Sequence, residues 1–317
     1  MEVIDILDDV KDDIKKFIDQ YKDWVVIIWW ATATWKSKLS ILLSDIFPVE
    51  IISADSRQIY KYMDIWTDKV PQEFQQKIKH HQIDIVNPDQ LYTAGQWQKD
   101  TEKIITDIQS RWNIPMIVWW TWLYIDSIYK NFSMPEVEPD FEYRNKLMEM
   151  ENQNPWILYK ILQEKDPDEA MKINYNSMRF IVRALEVFEK IWKPKSTLVQ
   201  NSSPKWPLLM LWLRREKEDT NKRINKRVKE MFEQWLVDEV KNIIDMWYSK
   251  DLQSMTWIWY KEVINYIDWK CSKDDAFERL KINTRQFWKR QRTWFRRYIA
   301  DANMSPKDNV TYKLYNL

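Results

Sequence analysis

Glycine occurs once in this chain, at Gly95, and that scarcity constrains the fold more than any other feature. Glycine supplies positive φ in turns and at helix ends, and it lets backbones approach closely. An average chain carries about 7% glycine, so roughly 22 are expected in one this long. Tryptophan, by contrast, occurs 21 times. Many of these tryptophans sit where turn chemistry asks for glycine. We read most of them as glycine in the living protein, through a UGA codon that the organism translates as glycine and the standard table as tryptophan. The alternative is a truly tryptophan-rich chain.

The rest of the composition suits a soluble globular protein. Hydrophobic residues make up 45% and charged residues 31% of 317 positions, enough for one large domain or two modest ones. No apolar run approaches the roughly 18 residues of a membrane span. Residues 1–23 are charged throughout and carry no secretory pattern. A single cysteine, Cys271, cannot form an internal disulfide, which fits a reducing cytoplasm. Net charge is +1, so any basic surface for nucleic acid must be local.

Apolar patterning gives the organisation. Residues 1–20 read as an amphipathic accessory helix with Val3, Ile6, Leu7, Val10, Ile14 and Phe17 on its apolar face. The β-branched run 25–28 reads as a buried parallel strand, as do 49–53, 114–118 and 208–213. Helices are expected over 36–45, 95–111, most of 140–192, 217–247, 259–268 and 273–300. Strands alternating with helices indicate a doubly wound α/β sheet. The expected organisation is an N-terminal helical extension at 1–23 and a core of 24–132 and 204–317. A helical insertion occupies 133–203.

Residues 30–37, WATATWKS, have the spacing of the phosphate-binding loop G-x-x-x-x-G-K-[ST], with tryptophan at both glycine positions. An apolar strand precedes the segment and a helix follows it. The chemistry needs backbone N–H groups curled around phosphate oxygens at a helix N-terminus. Trp30, Ala31, Thr32, Ala33, Thr34 and Trp35 would form that cradle, Lys36 would meet the phosphates and Ser37 would ligate Mg²⁺. Taken literally, the indoles would fill the anion site. With glycine at Trp30 and Trp35, the segment becomes a P-loop, and the fold class a P-loop NTPase-like parallel sheet with a helical insertion.

Two further segments follow strands: SADSRQ at 53–58, running into IYKYMDIW, and WWTWLY at 119–124, which becomes GGTGLY on restoring glycine. With HH.ID at 80–84, RFIVRALEV at 179–187, RINKRVKEMFEQWLVDEV at 223–240, WIWYKE at 257–262 and TRQFWKRQRTWFRR at 284–297, the chain resembles the bacterial tRNA dimethylallyltransferase family over about 25–300. That family favours glycine where Trp30, Trp35, Trp66, Trp119, Trp120, Trp235 and Trp259 stand. It has tryptophan itself at Trp294, and Trp97 and Trp206 also look genuine. Ala31 replaces the family's usual proline.

The resemblance implies a donor, dimethylallyl diphosphate, and an acceptor, an adenine of the tRNA anticodon stem-loop. Asp55 is the expected general base, Thr121 sits near the reacting base, and Arg223 is a second clamp on the diphosphate. Taken alone, Asp55 also reads as a helix cap or an outer ligand of magnesium. Asp55, Ser56, Arg57, Gln58 and Thr121 match the family's tRNA-contact segments. Arg144, Arg179 and Arg183 lie in the insertion that grips the stem-loop. In the last helix Arg285, Lys289, Arg292 and Arg296 share one face, opposite Phe287, Trp294 and Tyr298. The basic face suits either phosphate binding or plain solvation. His80 and His81 read as structural. A cytoplasmic monomer without a membrane segment is expected. Three rival readings remain: an adenylate isopentenyltransferase acting on a free nucleotide, a P-loop kinase, and, if the tryptophans are real, an inactive tRNA-binding protein.

Overall fold

A computed structural model describes residues 3–29, 36–118, 121–132, 134–135, 137–198, 202–233, 236–304, 307 and 309–317. The chain divides into two compact units, Met1–Tyr129 with Pro204–Leu317, and Lys130–Ser203. The first unit is built on six parallel strands in the order β3-β2-β4-β1-β5-β6. These are β1 (Val25–Trp29), β2 (Val49–Ser53), β3 (His80–His81), β4 (Ile114–Val118), β5 (Leu208–Arg214) and β6 (Val310–Asn316). Helices flank the sheet, giving the α/β class expected from the strand–helix alternation.

The three strands β1, β2 and β4 are buried at every position. That is the pattern of parallel strands covered on both faces, and it explains why their sequences run apolar instead of alternating. In register, Val26 lies beside Met116 of β4 on one side and Leu209 of β5 on the other. The β2 strand pairs with β4 from Val49↔Ile114 to Ser53↔Val118. The strands β1, β2 and β4 therefore end level with one another, along one edge of the sheet.

Local signals set the helices. Helix Ala94–Ser110 starts at a capping box: Thr93 Oγ1 accepts from Gln96 N–H (3.2 Å), and Gln96 Oε1 accepts from Thr93 N–H (2.8 Å). Helix Leu7–Gln20 buries Val10, Ile14 and Phe17, three of the apolar positions read from sequence. Its Asp13 joins the far end of the chain, accepting from Tyr315 Oη (2.5 Å) and pairing with Lys313 (2.8 Å). The N-terminal helix is thus packed onto the core unit beside β6.

The structure adds to the sequence reading the helices Gln72–Lys77 and Trp122–Tyr129 and the strands β3 and β6. Of the helix expected over 217–247, the described parts are helical at Lys217–Glu233 and Leu236–Asp245, and residues 234–235 lie outside the described residues. The edge strand β6 was not expected; its mixed burial dilutes the two-residue alternation that marks a strand. The two-residue β3 is too short to leave any periodic signal.

The second unit is all helical, with Phe141–Gln153, Ile157–Lys165, Pro167–Lys172, Met178–Ile191 and Lys195–Leu198. It has its own core of Leu147, Leu158, Leu162, Ala170, Ile181, Val182, Ala184 and Leu185.

Candidate active site

In an open parallel sheet, ligands bind beyond the carboxyl ends of the strands, where strand order reverses. Here β1 has β4 on one side and β5 on the other, so its carboxyl end is such a point. Residues 30–35, which carry the phosphate-loop pattern, follow β1 directly and lie outside the described residues. Lys36 and Ser37 open the helix Lys36–Ser44, at the N-terminal end where anions are favoured.

Beside them, the loops after β2 and β4 are laced together. Ala54 N–H donates to Val118 O (2.7 Å), and Thr121 N–H donates to Ala54 O (2.8 Å). Asp55 is 2% exposed, and its Oδ1 accepts from Arg57 N–H (2.8 Å), which closes an Asx turn. Thr121 Oγ1 accepts from Ser56 N–H (2.9 Å) and lies 3.3 Å from Ser56 Oγ. The structure therefore brings Asp55, Ser56 and Thr121 together from segments 65 residues apart. A buried carboxylate, two hydroxyls and the end of β1 share one edge of the sheet.

The turn is held from beneath. Gln58 is fully buried, with Ser53 Oγ donating to its Oε1 (2.9 Å) and its Nε2 donating to Thr67 O (3.0 Å) and Asp68 O (3.2 Å). The expected tRNA contact at Gln58 is thus buried here, with its amide engaged in bracing the loop 61–69. Arg57 is likewise buried, its NH1 donating to Gln253 O (3.4 Å) and its guanidinium 4.5 Å from the Trp257 ring centre. Two residues to which the sequence assigned no place in the site complete the frame. Trp97 Nε1 donates to Ser53 O (3.0 Å), and its ring stacks on Tyr124 at 4.4 Å. Glu239 accepts from Asp64 N–H and Ile65 N–H (2.7 Å each) and from Tyr260 Oη (2.6 Å). Burial pushes the Glu239 carboxyl above its usual range, and those three hydrogen bonds offset part of the rise. Burial also raises the Tyr124 hydroxyl, so it stays protonated near neutral pH.

On the other side of β1, Arg223 donates to Asp219 Oδ2 (3.1 Å), and the same oxygen accepts from Arg215 NH1 (2.5 Å). Burial acts to raise the Asp219 carboxyl, but hydrogen bonds from Arg215 and Arg223 outweigh it and hold the group below its usual range. Arg215 follows β5 immediately. It is 7% exposed, and two of its guanidinium nitrogens are buried with no hydrogen-bond partner among the described residues. An adjacent arginine with spare donors is a feature that no motif announced.

Within the helical unit, Arg144 donates to both oxygens of the fully buried Glu186 (2.8 Å each). Arg183 donates to Glu186 Oε2 (2.6 Å) and Val137 O (2.9 Å). Both expected tRNA contacts thus also anchor the unit's own packing; Arg179 is exposed. In helix Lys273–Met304, Phe287 and Tyr298 are buried, as expected of a core stripe, and Tyr298 Oη donates to the buried Asp126. Of the basic face, Lys289 and Arg296 are exposed, Arg285 donates to Asn225 Oδ1 (2.6 Å), and Arg292 lies 5.4 Å from the Trp288 ring centre.

His81 Nε2 lies 2.7 Å from Glu50 Oε2, at the other end of the sheet from Asp55. Burial acts to raise the Glu50 carboxyl, but hydrogen bonds from Asn113, Arg111 and His81, with the charge of Lys79, hold it at about 2. Among the described residues, no three His, Cys, Asp or Glu side chains gather as a metal cage. No described helix is long and apolar enough to cross a membrane.

The sequence model of the IPP transferase family matches residues 58–298. The chain is 41% identical over 280 residues to the tRNA dimethylallyltransferase of Thermoanaerobacter sp. (strain X514), covering 86% of this chain and 89% of that one. It is 41% identical over 274 residues to the tRNA dimethylallyltransferase of Thermotoga maritima, covering 86% and 90%. The crystal structure of the full-length tRNA isopentenylpyrophosphate transferase from Bacillus halodurans superposes with a TM-score of 0.65 at 33% identity, covering 93% and 91%. A eukaryotic dimethylallyltransferase captured acting on tRNA gives 0.75 at 28% identity, covering 92% of this chain and 73% of that one. The fold, the ordered motifs and these likenesses agree: the chain belongs to the IPP transferase family.

Proposed function

We propose that the chain transfers a dimethylallyl group from dimethylallyl diphosphate to the exocyclic amine of the adenosine 3′ of the anticodon in tRNA, releasing diphosphate. The observation that carries this reading is the Asp55–Ser56–Thr121 cluster beside the carboxyl end of β1. The relatives' names, tRNA dimethylallyltransferase, supply the reaction and the acceptor.

The amine nitrogen attacks the allylic carbon, the carbon–oxygen bond to diphosphate breaks, and the amine proton passes to Asp55 as general base. Thr121 and Ser56 orient the adenine at that carboxylate. An adenine inside a stacked loop must leave the stack to reach a buried Asp55. Backbone N–H groups of 30–35, with Lys36, hold the diphosphate and stabilise its charge as it leaves. Arg223 is the second clamp, and Arg215, tied to the same Asp219, adds a third positive group on that side. This reading takes Trp30 and Trp35 as glycine in the native protein, as the loop spacing requires.

Ser37 would be the residue to hold Mg²⁺, an ion that commonly uses few protein ligands together with substrate phosphates. When bound, it would neutralise charge on the departing diphosphate. Arg179, with Arg144 and Arg183, contacts the phosphates of the anticodon stem-loop, and the enzyme works as a cytoplasmic monomer.

The test is transfer of label from dimethylallyl diphosphate into tRNA by protein carrying Trp30→Gly and Trp35→Gly. Labelled tRNA supports the reading. Binding of tRNA without transfer would favour an inactive tRNA-binding protein, and transfer to free adenylate alone would favour the nucleotide enzyme.

A further inference from the structure

Five tryptophans hold a backbone conformation that a bulky L-residue resists. Among the described residues, eleven that are not glycine have positive φ, and five of these are Trp112, Trp156, Trp192, Trp247 and Trp269. Their φ values run from 57° to 74°. Tryptophan fills 21 of 317 positions, so it is heavily over-represented in a region that suits glycine, asparagine and aspartate. The chain's one glycine, Gly95, lies inside helix Ala94–Ser110 and does not use positive φ.

Each of the five occupies a place with a known chemical demand. Trp112 follows the C-cap of helix Ala94–Ser110; its N–H donates to Gln109 O (2.9 Å), and Asn113 N–H donates to Ile108 O (3.2 Å). That pair of bonds is the Schellman motif, whose left-handed position is usually glycine. Trp247 repeats it after helix Leu236–Asp245, with bonds to Ile244 O (2.9 Å) and from Tyr248 N–H to Ile243 O (3.4 Å). Trp269 repeats it after helix Ile258–Ile267, with bonds to Tyr266 O (3.0 Å) and from Lys270 N–H to Asn265 O (2.8 Å). Trp192 is the left-handed C-cap of helix Met178–Ile191, its N–H donating to Phe188 O (2.7 Å), with Pro194 two residues on. At Trp156, φ 74° and ψ 2° follow Pro155, and Ile157 N–H donates to Asn154 O (3.2 Å). That is a type II turn, which wants glycine at its third residue.

At the three Schellman positions the side chains give no reason for an indole, whereas the Trp156 ring lies 4.8 Å from Tyr175 and the Trp192 ring 6.4 Å from Phe188. Trp112, Trp247 and Trp269 are more than nine-tenths exposed, and Trp192 is 74% exposed. Trp97 is the opposite case: it is fully buried inside a helix, donates to Ser53 O (3.0 Å) and stacks on Tyr124.

We infer that Trp112, Trp156, Trp192, Trp247 and Trp269 are glycine in the protein as its own host makes it, and that Trp97 is tryptophan. The inference stands on backbone conformation and does not need the proposed reaction. It extends the idea of a reassigned codon from the phosphate loop, whose backbone is outside the described residues, to five positions fixed by geometry.

The test is peptide mapping by tandem mass spectrometry of the protein purified from its native source, with the gene's codons read alongside. Glycine at all five positions over UGA codons, and tryptophan at Trp97 over UGG, is the expected result. An indole at any of the five positions, or UGG codons there, would overturn the inference. Glycine at Trp97 would overturn the division between the two classes. Either outcome is independent of whether the protein prenylates tRNA.

Discussion

Restoring glycine at the three Schellman positions should stabilise a protein translated by the standard code. The perturbation is the triple variant Trp112→Gly, Trp247→Gly, Trp269→Gly. Each tryptophan sits at φ between 59° and 67°, where the left-handed region costs an L-residue about 1–2 kcal/mol. Glycine gives back about 0.5–1 kcal/mol through the greater freedom of its unfolded chain. The indoles are 91%, 95% and 92% exposed, so removing them forfeits almost no buried apolar area. The net gain is about 0.5–1 kcal/mol per site, and the sites close three different helices, so roughly 2 kcal/mol is expected for the triple variant. Urea unfolding followed by far-ultraviolet circular dichroism reads it as a higher midpoint at unchanged slope. The matched control is Trp97→Gly, which removes a buried, hydrogen-bonded indole and should cost at least about 3–5 kcal/mol. A triple variant no more stable than its parent would refute the argument from φ.

Other consequences follow from the site and its frame. Asp55→Asn in the glycine-restored enzyme should lower kcat by about 10²–10⁴-fold with little change in KM for the diphosphate donor, measured by label transfer. Arg215→Ala and Arg223→Ala should each raise KM for the donor, whereas a purely structural role would lower thermal stability and leave KM alone. Glu239→Ala leaves two backbone N–H groups, of Asp64 and Ile65, without their acceptor, and should destabilise by roughly 2–4 kcal/mol in thermal unfolding. Glu50 is held at about 2, below its unfolded value, so its stabilising contribution is present above the unfolded value and is lost as pH falls through about 2. Glu50→Gln should therefore flatten the decline in stability between about pH 5 and pH 2, read as Tm against pH.

The sheet was legible because its strands are buried on both faces and run apolar; VVII at 25–28 and IPMIV at 114–118 need no tertiary knowledge to read. β6 was not, because its half-exposed edge mixes Thr, Tyr and Lys with two buried positions. The cluster of Asp55, Ser56 and Thr121 was legible only through ordered motifs, since nothing local says that position 56 will meet position 121. Gln58 shows the limit of a motif: SRQ marks the segment, but not that the amide turns inward to Thr67 O and Asp68 O. Glu239 and Arg215 had no signal, because their importance lies in partners far along the chain or in nitrogens left without one. The composition raised the question of reassigned tryptophans, but only φ could assign Trp112, Trp156, Trp192, Trp247 and Trp269 one by one.

The decisive measurement is incorporation of a radiolabelled dimethylallyl group into tRNA by protein bearing glycine at positions 30 and 35. The account predicts label on an adenosine beside the anticodon, and its loss in the Asp55→Asn variant. Unlabelled tRNA from folded, tRNA-binding protein supplied with donor and Mg²⁺ would contradict it.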